Sequence, residues 1–341
     1  MKKTTAKDAK TFGDWAYLAI AKHYKKMVKH EVGVLADQDP EELHQMRVGM
    51  RRLRSAIAGF APALSLPKAS NSRKVGKIAR ILGELRDLDV LSETLTQHYQ
   101  PLLPQAEQKP LDRVFKTINK RRGKTFDRVK STLEGKSYRK LKQGFTKWLE
   151  QPEYRAIAQV PIPVVLPDLL LPQVSQILLH PGWLVGAEIE KETLKVVEIS
   201  DPLSINKLLE NDAAPLHDLR KEAKRSRYQM ELFASFYGKE YKQQLSDIKE
   251  IQTILGEIQD SFVLAEFLNP LLKSNLADRM PALWEILVKT RQEKWHDWQI
   301  LQQKFLNVKT RQNLRSTVQK PTTSKVKSTR RRRSPARKKT S

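Results

Sequence analysis

The chain of 341 residues repeats part of itself at a fixed distance, and this repeat limits the fold more than any other feature. Aligned without a gap, residues 43–95 and 216–268 are identical at seventeen of fifty-three positions. A first motif and its copy are His44-x-x-Arg47-x-x-x-Arg51-Arg52-x-Arg54 and His217-x-x-Arg220-x-x-x-Lys224-Arg225-x-Arg227. A second motif and its copy, at the same offset, are Gly83-Glu84-x-x-Asp87 and Gly256-Glu257-x-x-Asp260. This spacing predicts an internal duplication with two similar halves.

Most of the chain has the apolar spacing of amphipathic helices, and no pair of strands with hairpin signals is recognisable. We therefore predict an all-α fold. Asp39 and Ser204 are expected to cap the helices that follow them. The predicted helical tracts are 12–31, 41–61, 71–99, 105–131, 136–150, 203–236, 240–270 and 277–306.

Two regions depart from this pattern. Residues 151–203 contain five prolines between 161 and 181, which argue against one continuous helix and against a helix that crosses a bilayer. They are also too apolar for a solvated linker, so an extended segment packed across the two halves is expected. Residues 307–341 contain thirteen Lys or Arg and no acid, which predicts a disordered basic tail. The two halves then comprise residues 11–150 and 204–306, after an N-terminal extension of residues 1–10.

The charge of the chain predicts an anionic partner. Its 63 Lys and Arg outnumber 38 Asp and Glu, and residues 1–306 still contain 50 basic residues against 38 acidic ones. Such a surface attracts nucleic acid, anionic membrane or polyphosphate. The lack of cysteine excludes disulfides, thiolate catalysis and thiolate zinc sites. No apolar segment follows the basic N-terminus, so we expect no signal peptide and a cytoplasmic protein.

The spacing of the first motif places His44, Arg47, Arg51 and Arg54 on one helical face, opposite an apolar face. Arg52 falls on the other flank, as does Arg225 in the second copy, so a role in helix packing is open for these two. One interpretation is a solvated face whose cations pair with nearby acids. The other is an anion-binding face, which is favoured because few acids lie one turn away and the unpaired cations repel one another. Guanidinium groups also suit phosphate oxygens. Further cations lie in other predicted helices, namely Lys22, Lys25, Lys26, Lys29, Arg73, Lys74, Lys77 and Arg80. Of these, Lys22, Lys26, Lys74, Lys77 and Arg80 are candidate binding residues. The second copy has Asp247 and Glu250 in place of Lys74 and Lys77, so we expect the first half to bind more strongly.

With these two motifs in this order, the chain resembles the CHAD family, the conserved histidine α-helical domains, over roughly residues 10–306. The resemblance implies long antiparallel helices in two pseudo-symmetric helical-bundle halves around a basic groove. It also implies binding of inorganic polyphosphate, with neither catalysis nor a cofactor. The residues expected to line the groove are His44, Arg47, Arg51, Arg52, Arg54, His217, Arg220, Lys224, Arg225 and Arg227. Neither the Pro-rich segment nor the basic tail is explained by the family motif, although the tail could recruit the protein to polyphosphate granules.

Two other classes of function are open to a chain of this kind. Triphosphatase domains that accompany many CHAD domains have a Glu-x-Glu-x-Lys motif, whereas residues 188–192 read Glu-Ile-Glu-Lys-Glu and lack the final lysine. No P-loop, His-Glu-x-x-His or Gly-x-Ser-x-Gly motif occurs, so an enzyme is not expected. Nonspecific nucleic-acid binding through the basic tail and surface is the alternative function. The sequence leaves the oligomeric state open.

Overall fold

The computed structural model describes residues 8–191, 193–272 and 274–322, which form two halves with corresponding helices. The first half contains α1 (Phe12–Lys29), α2 (Glu31–Ala36), α3 (Pro40–Gly59), α4 (Ser72–Thr94), α5 (Gln105–Glu134) and α6 (Lys136–Glu150). The second half contains α7 (Ile162–Leu178), α8 (Pro202–Asn211), α9 (Ala213–Phe233), α10 (Lys239–Leu272), α11 (Leu276–Arg279), α12 (Pro281–Leu306) and α13 (Val308–Val318). The predicted all-α fold class is confirmed.

A short hairpin is the exception to the helical structure. Strands β1 (Ala187–Glu190) and β2 (Thr193–Val196) pair antiparallel between α7 and α8. The sequence gives no hairpin signal here, because charged residues stand on both strands and the turn at Lys191 carries no glycine. Lys191 has a φ of 47°, the left-handed conformation that a tight turn requires.

The duplication extends further than the aligned motifs. Helices α3 and α9 each have a proline in the first turn, and their first residues, Pro40 and Ala213, are separated by the motif offset. Helices α4, α5 and α6 correspond to α10, α12 and α13. In α13, the buried Leu314 and Val318 match the buried Leu141 and Phe145 of α6 at the same offset. The prediction of a disordered tail from residue 307 is therefore wrong for this helix. Residues beyond 322 lie outside the described residues, as do residues 1–7 of the N-terminal extension.

Helices α1 and α7 begin at a shared backbone bridge that has two-fold symmetry. The Phe12 N–H donates to the Val160 carbonyl at 2.8 Å, and the Ile162 N–H donates to the Lys10 carbonyl at 3.1 Å. The two donors and the two acceptors are separated by the same length of chain. Helix α1 then packs on α3, and α7 packs on α9. Thus α7 is the second-half counterpart of α1.

The continuous helix α7 corrects the prediction of an extended proline-rich segment. Pro163 lies in the first turn, where no helical N–H bond is lost. Pro167 and Pro172 stand inside the helix, but Pro172 is exposed and Pro167 half-buried, so water can solvate the carbonyls that they leave unbonded. Residues 162–184 are long and apolar enough to cross a membrane by length and composition alone. In this fold, their apolar side packs against α9 and α13.

Two apolar clusters hold the helices together. The larger one lies between the two halves around α1, α3, α7 and α9. The smaller one closes one end of the bundle, where the ends of α4 and α10 meet the starts of α5 and α12. There the buried Glu107 of α5 accepts the N–H groups of Ala282 and Leu283 at 2.8 and 3.1 Å, and so caps α12 from the other half.

The two predicted caps have different outcomes. Asp39 caps α3 by accepting the Glu41 N–H at 2.8 Å, as predicted. Ser204 is not a cap, because α8 begins two residues earlier at Pro202. Asp201 caps this helix by accepting the Ser204 N–H at 2.8 Å.

Candidate functional site

The second motif positions the first arginine of the first motif, in both halves. The Arg47 guanidinium lies 3.4 Å from Asp87, and the Arg220 guanidinium lies 3.5 Å from Asp260. Both arginines lie against a glycine one turn before that aspartate. A Cβ atom on Gly83 would lie 3.4 Å from Nη2 of Arg47, and one on Gly256 would lie 3.1 Å from Nε of Arg220. The two motifs are therefore one structural unit, in which glycine makes room for a guanidinium and aspartate orients it.

A groove of about 1340 Å³ lies between α3, α4, α7 and α9. Ten lysine and arginine side chains line this groove: Arg47, Arg51, Arg54, Arg73, Lys77, Arg80, Arg86, Lys221, Lys224 and Arg225. His44 and Tyr228 also line it. Among the described lining residues, Asp168 of α7 is the sole acid. The groove therefore has a large excess of positive charge.

The structure brings eight of the fifteen predicted site residues into this groove, namely His44, Arg47, Arg51, Arg54, Lys77, Arg80, Lys224 and Arg225. Four of the others do not line it and lie on α9 or α4, namely His217, Arg220, Arg227 and Lys74. The remaining three, Lys22, Lys26 and Arg52, lie on the other side of α3, where it packs on α1. The part of all fifteen residues in binding stays a prediction.

Several lining residues were not predicted as site residues. Arg73 lies one turn before the predicted Lys77, and Arg86 lies inside the second motif. Lys221 lies one turn after His217, so helical spacing could have indicated it. Tyr228 follows the last arginine of the second copy, and its ring contacts Arg51 at 4.7 Å and Arg227 at 4.3 Å. The contact between Tyr228 and Arg51 joins the two halves and has no signal in the sequence.

The two motif helices bring their cations close enough to influence one another. Burial, together with the charges of Arg227, Arg47 and Arg52, lowers the pKa of Arg51. Burial and the charges of Arg220, Arg51, Arg47 and Arg227 lower the pKa of Lys224. Both shifts mean that the groove repels additional positive charge, and a bound anion would relieve this repulsion.

The motif histidines are shifted towards their neutral form. Burial lowers the pKa of His44, and the charges of Arg86, Arg51 and Arg47 contribute, although Glu41 opposes them. Burial and the charges of Lys221 and Arg220 likewise lower the pKa of His217. Each histidine is thus available as a neutral hydrogen-bonding group beside the cations. Within the described residues, no group of three or more His, Asp or Glu side chains is placed to hold a metal ion.

Comparisons with known proteins agree with this architecture. The model of the family described as CHAD domain matches residues 18–269. The crystal structure of the CHAD domain from the plant Ricinus communis is similar, with a TM-score of 0.52 and 21% identity, over 91% of this chain and 92% of that chain. PptA from Streptomyces chartreusis has a TM-score of 0.57 and 13% identity, over 92% of this chain and 100% of that chain. At these identities both likenesses show the fold alone. No curated protein sequence matches the chain.

Proposed function

The chain belongs to the CHAD domain family, and we propose that it binds inorganic polyphosphate in the groove between α3, α4, α7 and α9, without catalysis. The observation that carries the proposal is the lining of that groove, where ten Lys or Arg side chains face a single acid among the described residues. A linear chain of phosphates carries negative charge along its whole length. It can therefore contact many of these cations at once.

The alternative of a merely solvated face explains this lining less well. Four of the ten lining cations pair with an acid, namely Arg47, Arg86, Lys221 and Arg225. The other six form no ion pair among the described residues, and at Arg51 and Lys224 burial and the neighbouring cations lower the pKa. A polyanion replaces this repulsion with attraction. An arginine guanidinium group can donate two parallel hydrogen bonds to phosphate oxygens, and a lysine ammonium group adds a compact positive charge.

The lining of the groove is held rigidly, which favours the binding of a long anion. Most of the lining cations stand on the long helices α3, α4 and α9, which are packed into the central core. Several weak contacts to one flexible chain then add up to a high affinity, because each later contact is intramolecular. Affinity should fall with salt, since every phosphate contact releases counterions.

A bare phosphate chain suits the groove better than a nucleic acid does. Binding of single strands usually requires aromatic rings on which bases stack. Tyr228 lines the groove, but two guanidinium groups already contact its ring. No Phe or Trp side chain lines the groove among the described residues. Nucleic-acid binding through the basic residues after 322 would be revealed by the loss of binding on their removal.

The test is a titration with long-chain polyphosphate at near-physiological salt, with single-stranded DNA of matched charge as competitor. It compares the full chain with a chain that ends at Thr322. Ending the chain at residue 306 would remove α13, whose Val318 carbonyl accepts the Tyr237 hydroxyl at 2.9 Å. We expect both chains to bind polyphosphate and DNA to compete poorly. Loss of binding on truncation, or equal displacement by DNA, would contradict the proposal and favour the basic tail.

A further inference from the structure

Three cations form a cluster outside the groove. Lys22 and Lys26 are one turn apart on α1, and Arg52 lies on α3. Lys22 and Arg52 are exposed, and Lys26 is half-buried. Lys22, Lys26 and Arg52 form no ion pair with any acid of the described residues, whereas other cations of the first half do, including Lys142 with Glu31.

The packing of α1 on α3 places these side chains together. The two backbones touch at Gly49, where an added Cβ atom would lie 2.8 Å from the Met27 nitrogen and 3.2 Å from the carbonyl carbon of Lys26. Arg52 follows Gly49 by about one turn of α3, and Lys22 precedes Lys26 by about one turn of α1. Because α1 and α3 run in opposite directions, Arg52 and Lys22 lie on the same side of the contact at Gly49.

The correspondence of α1 and α3 with α7 and α9 makes this cluster the counterpart of one wall of the groove. The counterpart of Arg52 is Arg225 of α9, which lines the groove beside Gln173 of α7. The counterpart of Gln173 on α1, at the offset that relates Ile162 to Phe12, is His23. Arg52 and α1 therefore occupy, in relation to α3, the place that Arg225 and α7 occupy in relation to α9.

His23 provides an independent sign of an unsatisfied polar site. It is only 8% exposed, and its Nδ1 atom is buried without a hydrogen-bond partner. Burial, together with the charges of Lys22, Arg52 and Lys26, lowers the pKa of His23 to about 4. The three cations thus surround a buried histidine that cannot accept a further positive charge at neutral pH, and an anion would stabilise all four groups.

We propose that Lys22, Lys26 and Arg52 form a second anion-binding site, which takes phosphate groups of a long polyphosphate chain that also fills the groove. This inference rests on the proposed function of the groove. Arg52 is adjacent in sequence to Arg51, a lining residue, so the positive surface continues around α3 from the groove to α1. A long chain reaches both places, whereas tripolyphosphate occupies the groove, where the cations are denser.

The test uses the full chain with Lys22→Gln, Lys26→Gln and Arg52→Gln combined, since glutamine keeps the helix propensity and removes the charge. Affinities for long-chain polyphosphate and for tripolyphosphate are measured at several salt concentrations. We expect about 10-fold weaker binding of the long chain. The slope of log affinity against log salt concentration should become shallower by up to about three, because up to three fewer counterions are released. Tripolyphosphate should bind as it does to the unchanged protein. Unaltered long-chain affinity, or an equal loss for tripolyphosphate, would overturn the second site.

A control variant of the same net charge separates a site from a general effect. Lys109, Lys116 and Lys120 are exposed on α5, belong neither to the groove lining nor to the cluster on α1 and α3, and their replacement by glutamine also removes three charges. Long-chain affinity should stay within about twofold in this control, because salt screens exposed charges that do not contact the ligand. An equal loss in the control would overturn the proposal.

Two further measurements complete the design. In the unchanged protein, the pKa of His23, followed by NMR, should rise when long-chain polyphosphate is added and not when tripolyphosphate is added. If the three cations had a purely structural role, neither ligand would change this pKa.

A groove variant, Lys77→Glu with Arg80→Thr, should weaken the binding of both ligands. If neither ligand binds the unchanged protein, the proposed function itself fails. If both bind and only the triple glutamine variant is without effect, only the second site fails.

Discussion

The two copies of the first motif share a backbone but differ in how their cations are neutralised. On α9, Lys221 pairs with Asp218 at 2.5 Å, Arg225 pairs with Glu222, and Arg227 pairs with Glu231 at 2.5 Å. The positions equivalent to these three acids on α3 are Gln45, Gly49 and Ala58. Within the described residues, Arg52 and Arg54 accordingly have no ion pair. The second copy is largely neutralised by its own helix, and the first is not.

The helices that follow the two motifs differ in the same direction. On α4, Lys77 and Arg80 line the groove. On α10 the equivalent residues are Glu250 and Thr253, while Asp247 replaces Lys74 and pairs with Lys304 at 2.7 Å. The unit of arginine, aspartate and glycine is nevertheless kept in both halves. Both halves therefore keep the geometry that orients the arginines. Positive charge that is not paired with an acid among the described residues is concentrated in the first half.

The largest effect is expected when the first half receives the residues of the second. Lys77→Glu with Arg80→Thr removes two charge-assisted hydrogen bonds of roughly 1.5 kcal/mol each, which corresponds to about 100-fold weaker polyphosphate binding. The reverse exchange, Glu250→Lys with Thr253→Arg, should strengthen binding. Both are measured by titration at fixed salt. Similar affinities for the two exchanged proteins and the unchanged one would show that the difference between α4 and α10 does not determine binding.

A difference in acid stability is expected between the two halves at His23 and its counterpart Gln173. The pKa of His23 is about 4 in the folded protein and 6.5 when unfolded, so the unfolded chain binds more protons between these values. Protonation of His23 therefore does not reduce the free energy of unfolding above pH 6.5. As the pH decreases from 6.5 towards 4 the free energy of unfolding falls, and at pH 5 it is lower by about 2 kcal/mol.

Giving α1 the residue of α7, by His23→Gln, should remove that contribution. Urea unfolding at pH 5 and pH 7.5 measures the change. The variant should lose less stability on acidification than the unchanged protein. The same pH dependence in both would mean that His23 is not kept neutral by the fold.

Arg54 and Arg227 occupy the same position of the motif and should differ in role. Arg54 lines the groove without an ion pair among the described residues, so Arg54→Gln should weaken polyphosphate binding about 10-fold and leave stability unchanged. Arg227 is held by Glu231 and by Gln252 at 2.9 Å, and its side chain is 13% exposed. Arg227→Gln should therefore lower the free energy of unfolding by about 1 kcal/mol, with little change in affinity. Equal losses of affinity would show that the second copy binds as strongly as the first.

The sequence predicts those parts of this comparison that depend on local pattern. Helices α3, α4, α9 and α10 follow from apolar periodicity, and the repeat offset identifies the arginines and the missing cations of α10. The same offset also relates α13 to α6. The basic composition of this segment nevertheless predicts a disordered tail, because it conceals the helical spacing of Leu314 and Val318. Likewise, the number of prolines in α7 conceals the fact that they lie at its start or away from the core.

Other features of the groove depend on how distant segments pack. Asp168 reaches the groove only because α7 packs on α9, and Tyr228 contacts Arg51 only because α9 packs on α3. Spacing on one helix cannot predict such contacts. The family motif contains both Arg52 and Arg54, although residues two apart point to nearly opposite sides of a helix. Here Arg52 points towards α1 and Arg54 towards α4.

The smallest effects are expected at the two motif glycines, which differ in the space that they leave. Alanine in a helix interior is favoured over glycine by about 1 kcal/mol. At Gly83 an added Cβ atom would be in ordinary contact with Arg47, at 3.4 Å, so Gly83→Ala should stabilise the protein by about 0.5–1 kcal/mol. At Gly256 the nearest atom, Nε of Arg220, lies at 3.1 Å, and this guanidinium must shift.

The shift at Gly256 should cancel the helical gain, because it disturbs a guanidinium that is only 23% exposed and lies 3.5 Å from Asp260. Gly256→Ala is therefore expected to change stability by less than about 0.5 kcal/mol. Urea unfolding of both variants measures the difference, and polyphosphate titration of Gly83→Ala checks that Arg47 keeps its place. Equal stabilisation by both substitutions would mean that the two Arg–Asp–Gly units are equally loose. The asymmetry between the halves would then lie in their charges alone.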